Sequence, residues 1–229
     1  MNNKLAVSLA TVPLIDLKKI IKVLNQSPIE MLHFDIEDGH FVPSIMLGAK
    51  IIGDLRSYST LVFDVHLMIN NPERYIPEIV RMGGDRIAIH WEACDYPLRS
   101  LEMIKAHGIK AGLAFNPKTS IPDLHYLKPY LDFINILSSE PTEITSHFIP
   151  EINKKMHDLR LEDSDIECEV DGGVNPTNIQ SVIKNGAHTI VAGRYIFSSP
   201  NIMKNIKKLI SAIDTSILVF LCTLCILTK

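Results

Sequence analysis

Three short segments of this chain carry side chains able to bind cations and move protons: His33-Phe-Asp35-Ile-Glu37, Asp64-Val-His66-Leu-Met68 and Glu169-Val-Asp171-Gly172-Gly173. In an extended strand, residues two apart share a face. His33, Asp35 and Glu37 therefore point one way while Phe34 and Ile36 point the other, His66 and Met68 share a face, and Asp171 ends its strand just before a glycine pair. Two imidazoles and two carboxylates converging at one place make a ligand set for a divalent ion such as Zn²⁺, Fe²⁺, Mn²⁺ or Co²⁺. A lone histidine or aspartate at a strand end is more often a satisfied hydrogen-bonding group. A whole cluster of ionisable groups packed together without compensation is costly, so His33, Asp35, His66 and Asp171 read together as a metal site. Spacing alone does not name a reaction.

For these residues to meet, their strands must lie side by side in one sheet. A strand-then-helix unit recurs along the whole chain at intervals of roughly 25–30 residues. The strands read Leu5–Leu9, Met31–Ile36, Leu61–Leu67, Arg86–His90, Lys110–Phe115, Phe133–Leu137, Ile166–Asp171 and Thr189–Gly193. Between them lie helical patterns: Leu14, Leu17, Ile21 and Leu24 form one apolar stripe, and Tyr75, Ile76, Ile79 and Val80 another. Pro72 and Pro97 sit where helices begin, Gly108 and Gly186 where they stop, and Asn116-Pro117 marks a turn after a strand. Eight such units predict a single (β/α)8 TIM barrel over residues 1–213, followed by an apolar tail over 214–229. In that architecture catalytic groups gather at the C-terminal ends of the strands.

The composition excludes several classes of function. A net charge of −3, from 23 basic and 26 acidic residues with no block of one sign, gives no nucleic-acid surface. An anionic substrate must be caught by local groups. Four cysteines, Cys94, Cys168, Cys222 and Cys225, form no disulfide framework and suit a reducing cytoplasm. The Cys222/Cys225 pair lies in an apolar tail without a second ligand pair and reads as structural. The moderately apolar start is broken by Ser8, Thr11 and Pro13 and reads as a first strand, not an export signal. The run Ser216–Leu227 is shorter than the about 20 residues that a bilayer requires, so no stable membrane span is expected.

Longer motifs narrow the reading. HFDIEDGHFVP (33–43), DVHLMINNPERYI (64–76), HGIKAGLAFNPKT (107–119), FIPEI (148–152), EVDGGVNPTNI (169–179) and AGRYIF (192–197) together resemble the ribulose-phosphate 3-epimerase family, in the family's order. The resemblance implies a ribulose-phosphate binding barrel that uses one divalent metal to interconvert D-ribulose 5-phosphate and D-xylulose 5-phosphate. It implies His33, Asp35, His66 and Asp171 as metal ligands, with Asp35 and Asp171 as the acid/base pair. Ser8, His66, Met68, Gly172, Gly173, Gly193 and Arg194 become the expected substrate contacts. Relatives often assemble through barrel faces, so a homo-oligomer is among the expectations.

The chain also departs from that pattern. Where the family has a glycine-rich phosphate loop, Leu137–Pro150 contains no glycine and carries Glu140 and Glu143. Gly172, Gly173 and Gly193 remain at the positions where barrels commonly hold phosphate. Arg194 replaces a small family residue; it either supplies a cation for phosphate or pairs with a rim carboxylate. Glu37 and Leu137 stand where the family has methionines, and Glu37 either meets substrate hydroxyls or turns to solvent. His90-Trp91-Glu92 matches a family segment and reads as structural, with Trp91 packed under the rim. These departures keep two further readings open beside ribulose-phosphate epimerisation: an epimerase of another ketose phosphate such as allulose 6-phosphate, and a barrel that binds a metal or metabolite without turnover.

Overall fold

The structure is a computed structural model that describes the backbone of residues 3–141 and 147–227 and the side chains up to residue 214. Among the described residues nine strands form in chain order: β1 (Lys4–Ser8), β2 (Met31–Asp38), β3 (Ile45–Met46), β4 (Val62–Met68), β5 (Arg86–His90), β6 (Lys110–Phe115), β7 (Phe133–Leu137), β8 (Glu167–Asp171) and β9 (Thr189–Ala192). All but β3 are parallel, in the order β1-β9-β8-β7-β6-β5-β4-β2, and pairing of β1 with β2 closes the sheet into a barrel. The helices are α1 (Leu17–Leu24), α2 (Ala49–Arg56), α3 (Ile76–Arg81), α4 (Pro97–Ala106), α5 (Ile152–Glu162), α6 (Ile179–Lys184), α7 (Arg194–Phe197) and α8 (Ile202–Leu227). This is the (β/α)8 barrel that the sequence predicts.

Strand alternation divides the apolar residues between two places. Leu32, Phe34, Phe63, Val65, Ile87, Ile89 and Leu113 point outward into one continuous core with Ile21, Ile52, Ile79 and Leu101 of the helices. Each such side chain contributes about 1.5–3 kcal/mol by leaving water. Inside the barrel the apolar groups shrink to two small sets, Ala6, Met31 and Val191, and Ala88, Ala114 and Phe133. The rest of the interior is polar, including fully enclosed Arg86, Asn135 and Glu169.

Local details refine the sequence reading. Leu14 belongs to a 3-10 turn and is 66% exposed, so the buried stripe of α1 is Leu17, Ile21 and Leu24. Tyr75 likewise precedes α3 and stays largely exposed, while Ile76 and Ile79 are buried. Pro97 is the first residue of α4, whereas Pro72 opens a 3-10 turn ahead of α3. Gly108 and Gly186 follow the ends of α4 and α6 with φ of 75° and 113°. Between β6 and β7 the expected α-helix is a 3-10 segment, His125–Tyr130, with Pro129 inside it; proline has no N–H for an α-helical bond. The antiparallel β3, which the strand periodicity did not reveal, pairs Met46 with Glu37 and Ile45 with Asp38 at the mouth.

Helix α8 docks through Ile206, Leu209 and Ile213 and continues through the expected tail. The tail's side chains, Cys222 and Cys225 included, lie outside the described residues. Cys94 and Cys168 carry free thiols. Among the described residues, no helix is long and apolar enough to cross a membrane.

Gly112 on β6 faces the barrel interior, where an added Cβ would sit 2.4 Å from the Phe133 ring. Phe133 is fully buried with the Arg86 guanidinium 3.7 Å from its ring centre, so it has nowhere to go. Gly112→Ala is expected to destabilise the barrel by about 1–3 kcal/mol through overpacking. Urea denaturation reads this as a lower midpoint, and an unchanged midpoint would mean the interior yields at this layer.

Candidate metal centre at the barrel mouth

Sheet register brings the selected residues together. Asp35 on β2 lies opposite His66 on β4, His33 lies opposite Asp64, and Ser8 on β1 lies opposite His33. Asp171 ends β8 beside Leu137 of β7. Hydrogen-bonded parallel neighbours are about 4.8 Å apart, so inward side chains on adjacent strands converge at the mouth.

One donor atom from each of His33, Asp35, His66 and Asp171 lies within 4.8 Å of all the others. His33 Nε2 is 3.2 Å from Asp35 Oδ1 and 3.4 Å from Asp171 Oδ2. His66 Nδ1 is 3.6 Å from Asp35 Oδ1 and 3.4 Å from Asp171 Oδ2. Both nitrogens are buried and neither makes a properly directed hydrogen bond. Two unsatisfied imidazole nitrogens facing two carboxylates are the arrangement that a cation between them satisfies, and borderline ions accept such mixed nitrogen and oxygen donors. The residues present fit a divalent metal.

The electrostatics agree. Burial alone would disfavour charge on His33, but Asp35, Asp64 and Asp171 outweigh it and raise its pKa well above the usual value. Burial is likewise outweighed at His66, where Asp171 and Asp35 raise the pKa to about 9. Asp35 and Asp171 are held ionised against their own burial, chiefly by His33. The cluster therefore attracts positive charge, and a bound metal would displace protons from the imidazoles.

Beneath this cluster lie groups that the sequence reading did not single out. His33 Nδ1 donates to Asp64 Oδ2 at 2.7 Å, and Arg86 Nε approaches Asp64 Oδ1 at 2.8 Å. Arg86 also meets Glu167 at 2.7 Å and Glu169 at 2.9 Å, and Asn135 donates to Glu169 at 2.8 Å. Burial opposes the charge of Asp64, yet Arg86 and then His33 hold its pKa at about 2. Burial and the nearby Asp64 charge instead push Glu169 up to about 8. On the other flank, His66 Nε2 lies 2.9 Å from His90 Nε2, and His90 Nδ1 lies 3.1 Å from Glu92 Oε2. Trp91 packs on Phe115 with ring centres 6.0 Å apart, as expected, but its neighbours His90 and Glu92 flank the site. Asp64 and Glu169 sit two residues from His66 and Asp171, and this was the signal available for them; nothing in the sequence marks Arg86.

Above the cluster opens a cavity of about 620 Å³, lined by Ser8, Met68, Gly172, Gly173, Gly193 and Arg194 among others. Ser8 Oγ donates to Asp35 Oδ2 at 2.8 Å. Gly173 has φ of 66°, and an added Cβ would stand 2.5 Å from the backbone nitrogen of Phe148, so only glycine leaves this wall intact. Glu37 lines the cavity and accepts a hydrogen bond from Ser44 across the β2–β3 hairpin. Glu140 and Leu137 also line it, whereas Glu143 lies outside the described residues.

A closed (β/α)8 barrel whose strand ends gather two histidines and two carboxylates below an open cavity has the architecture of a barrel enzyme, with a side-chain set that could hold a metal ion. The chain belongs to the ribulose-phosphate 3-epimerase family, whose profile matches residues 4–197, and it is an isomerase of the epimerase class. It is 34% identical over 211 residues to the ribulose-phosphate 3-epimerase of Bacillus subtilis (strain 168), covering 90% of this chain and 97% of that one. It is 38% identical over 185 residues to the enzyme of the same name from Escherichia coli (strain K12), covering 79% and 82%. Among solved structures it resembles 3-hexulose-6-phosphate synthase, with a TM-score of 0.70 at 14% identity over 91% of this chain and 99% of that one. The 3-keto-L-gulonate-6-phosphate decarboxylase of Vibrio cholerae gives 0.69 at 12% identity over 94% and 99%. At such identities these structures bear on the fold alone.

The shifts set how the metal-free protein responds to pH. His66 has a folded pKa of about 9, above its ordinary 6.5, so its contribution is complete below pH 6.5 and lost as pH rises to 9. Glu169, raised from 4.5 to about 8, acts in the same direction between those values. In the presence of a chelator, the melting temperature is expected to fall as pH rises from 6.5 to 9, and added Zn²⁺ should flatten the trend. A melting temperature that stays level or climbs over that window would contradict the charge balance described.

Proposed function

We propose that residues 1–213 form a metal-dependent ribulose-phosphate 3-epimerase that inverts C3 of D-ribulose 5-phosphate to give D-xylulose 5-phosphate, a step of the pentose phosphate pathway. The observation that carries this reading is the presence, within one epimerase-family barrel, of two ionised carboxylates, buried Asp35 and partly exposed Asp171, converging on the same pair of unsatisfied imidazole nitrogens. His33, Asp35, His66 and Asp171 would hold one ion of Zn²⁺, Fe²⁺, Mn²⁺ or Co²⁺. When bound, the ion supplies Lewis acidity that makes the C3 proton of the ketose removable.

The chain's own residues carry the proton. One of Asp35 and Asp171 takes it from C3, leaving a planar enediolate, and the other, ionised in the resting site and taking up one proton from solvent for the turnover, returns it to the opposite face. Asp35 is buried against the histidines, and Asp171 faces the cavity from the opposite strand end. Ser8 orients Asp35 through its 2.8 Å hydrogen bond. Met68 supplies an apolar wall. Gly172, Gly173, Gly193 and Arg194 receive the phosphate, with the guanidinium as its cation.

A second reading keeps the chemistry and lengthens the sugar to a six-carbon ketose phosphate such as allulose 6-phosphate. It is favoured by Glu37 and Glu140 lining the cavity, where their carboxylates can accept hydrogen bonds from an additional hydroxyl.

Incubating Zn²⁺- or Co²⁺-loaded protein with D-ribulose 5-phosphate in D₂O should yield xylulose 5-phosphate carrying deuterium at C3. Exchange with a six-carbon substrate only would select the second reading, and exchange with neither would sink both. Asp35→Asn and Asp171→Asn should each lower kcat by about 10²–10⁴-fold; an unaltered kcat in either variant removes that residue from the acid/base pair. Arg194→Ala should raise KM by about 10-fold, the worth of one charge-assisted hydrogen bond. An unchanged KM assigns the phosphate to other groups.

A further inference from the structure

The two histidines of the cluster face it with different nitrogens, and each turns its other nitrogen toward a different partner. His33 offers Nε2 and places Nδ1 directly on a carboxylate, Asp64, at 2.7 Å. His66 offers Nδ1, and its Nε2 meets the Nε2 of His90 at 2.9 Å instead of a carboxylate. The carboxylate comes one residue further, where His90 Nδ1 lies 3.1 Å from Glu92 Oε2. The other oxygen, Glu92 Oε1, accepts the Asn116 backbone N–H at 2.9 Å.

We propose that Glu92 and His90 are a positioning relay that fixes the tautomer of His66, keeping the proton on Nε2 and the Nδ1 lone pair aimed into the cation site. This rests on the reading of His66 as a metal ligand. Hydrogen-bond polarity carries the argument. An ionised carboxylate can only accept, so His90 Nδ1 must carry the proton facing Glu92. A neutral His90 then has only a lone pair at Nε2, and His66 Nε2 must donate to it. Reversing the chain would bring the His90 Nδ1 lone pair against the Glu92 carboxylate in a buried place, an acceptor-to-acceptor contact.

The surroundings favour the neutral form that the relay needs. His90 is fully enclosed, where a second proton and its charge would be costly to carry. Glu92 is held at about 2 despite partial burial, chiefly by its bond to His90. Phe41 from the β2–β3 connection packs on His90 with ring centres 4.5 Å apart. The His66 and His90 ring planes differ by only 19°. The same Nε2 proton stays in place whether Nδ1 carries a proton or faces a metal, so the ligand is oriented before the ion arrives.

The test is nitrogen NMR of the Zn²⁺-loaded protein labelled with ¹⁵N-histidine, together with calorimetric Zn²⁺ titration. In the wild type, His66 should be protonated at Nε2, and His90 at Nδ1 alone. Glu92→Ala should weaken Zn²⁺ binding by about 10–100-fold, the usual effect of losing an outer partner of a ligand, with the His33 ring signals unchanged. Glu92→Gln, whose amide oxygen still accepts from Nδ1–H, should recover much of that affinity. A wild-type spectrum with His90 protonated at Nε2 overturns the relay, and this measurement stands even if Glu92→Ala does not fold. Unchanged affinity in Glu92→Ala, when His66→Ala binds weakly, also overturns the relay alone. Unchanged affinity in His66→Ala overturns the ligand assignment beneath it.

Discussion

One buried cation makes the acid-rich interior of this barrel possible. The Arg86 guanidinium, 2% exposed, lies within hydrogen-bonding distance of Asp64, Glu167 and Glu169 and sits over the Phe133 ring. Three carboxylates in so little space could not otherwise coexist, since taking a charge out of water costs several kcal/mol unless it is paired. Arg86 neutralises part of that charge, burial leaves Glu169 protonated up to about pH 8, and Asp64 stays ionised as a result. Asp64 in turn fixes the ring of His33, so the ion network at mid-barrel sets the orientation of a donor at the mouth.

The interior is built in two tiers with opposite electrostatic demands. The lower tier carries its own counterion in Arg86. In the upper tier the carboxylates of Asp35 and Asp171 face the imidazoles of His33 and His66. They draw protons onto those histidines, so positive charge is favoured between them. The small residues between the tiers, Ala88, Ala114 and Gly112, leave room for the arginine and the phenylalanine beneath it.

At the mouth, the walls combine family-like and divergent parts. Gly173 and Gly193 stand so close to the Phe148 and Ser8 backbones that a side chain would displace them. Facing them, the β2–β3 hairpin presents Glu37, and Glu140 follows β7. The cavity therefore couples a glycine wall to one that carries two carboxylates.

The sequence by itself determined the barrel and the four residues at its mouth. Alternation of polar and apolar residues in each strand assigns faces directly, and the motifs around His33, His66 and Asp171 are local. It also marked Pro97, Gly108 and Gly186 correctly, because start and stop signals act within one turn. It did not determine where α1 begins or what joins β6 to β7, since Leu14 and Pro129 answer to packing and missing N–H groups that periodicity does not weigh. Of the partners of these four side chains it offered only the two-residue spacing of Asp64 and Glu169, and not the pairings themselves. Arg86 meets Glu167 and Glu169 across 81 and 83 residues of chain, and His90 finds His66 only because β4 and β5 are neighbours in the sheet. Such pairings are decided by closure of the barrel, which sets the distances that charge and hydrogen bonding then act upon.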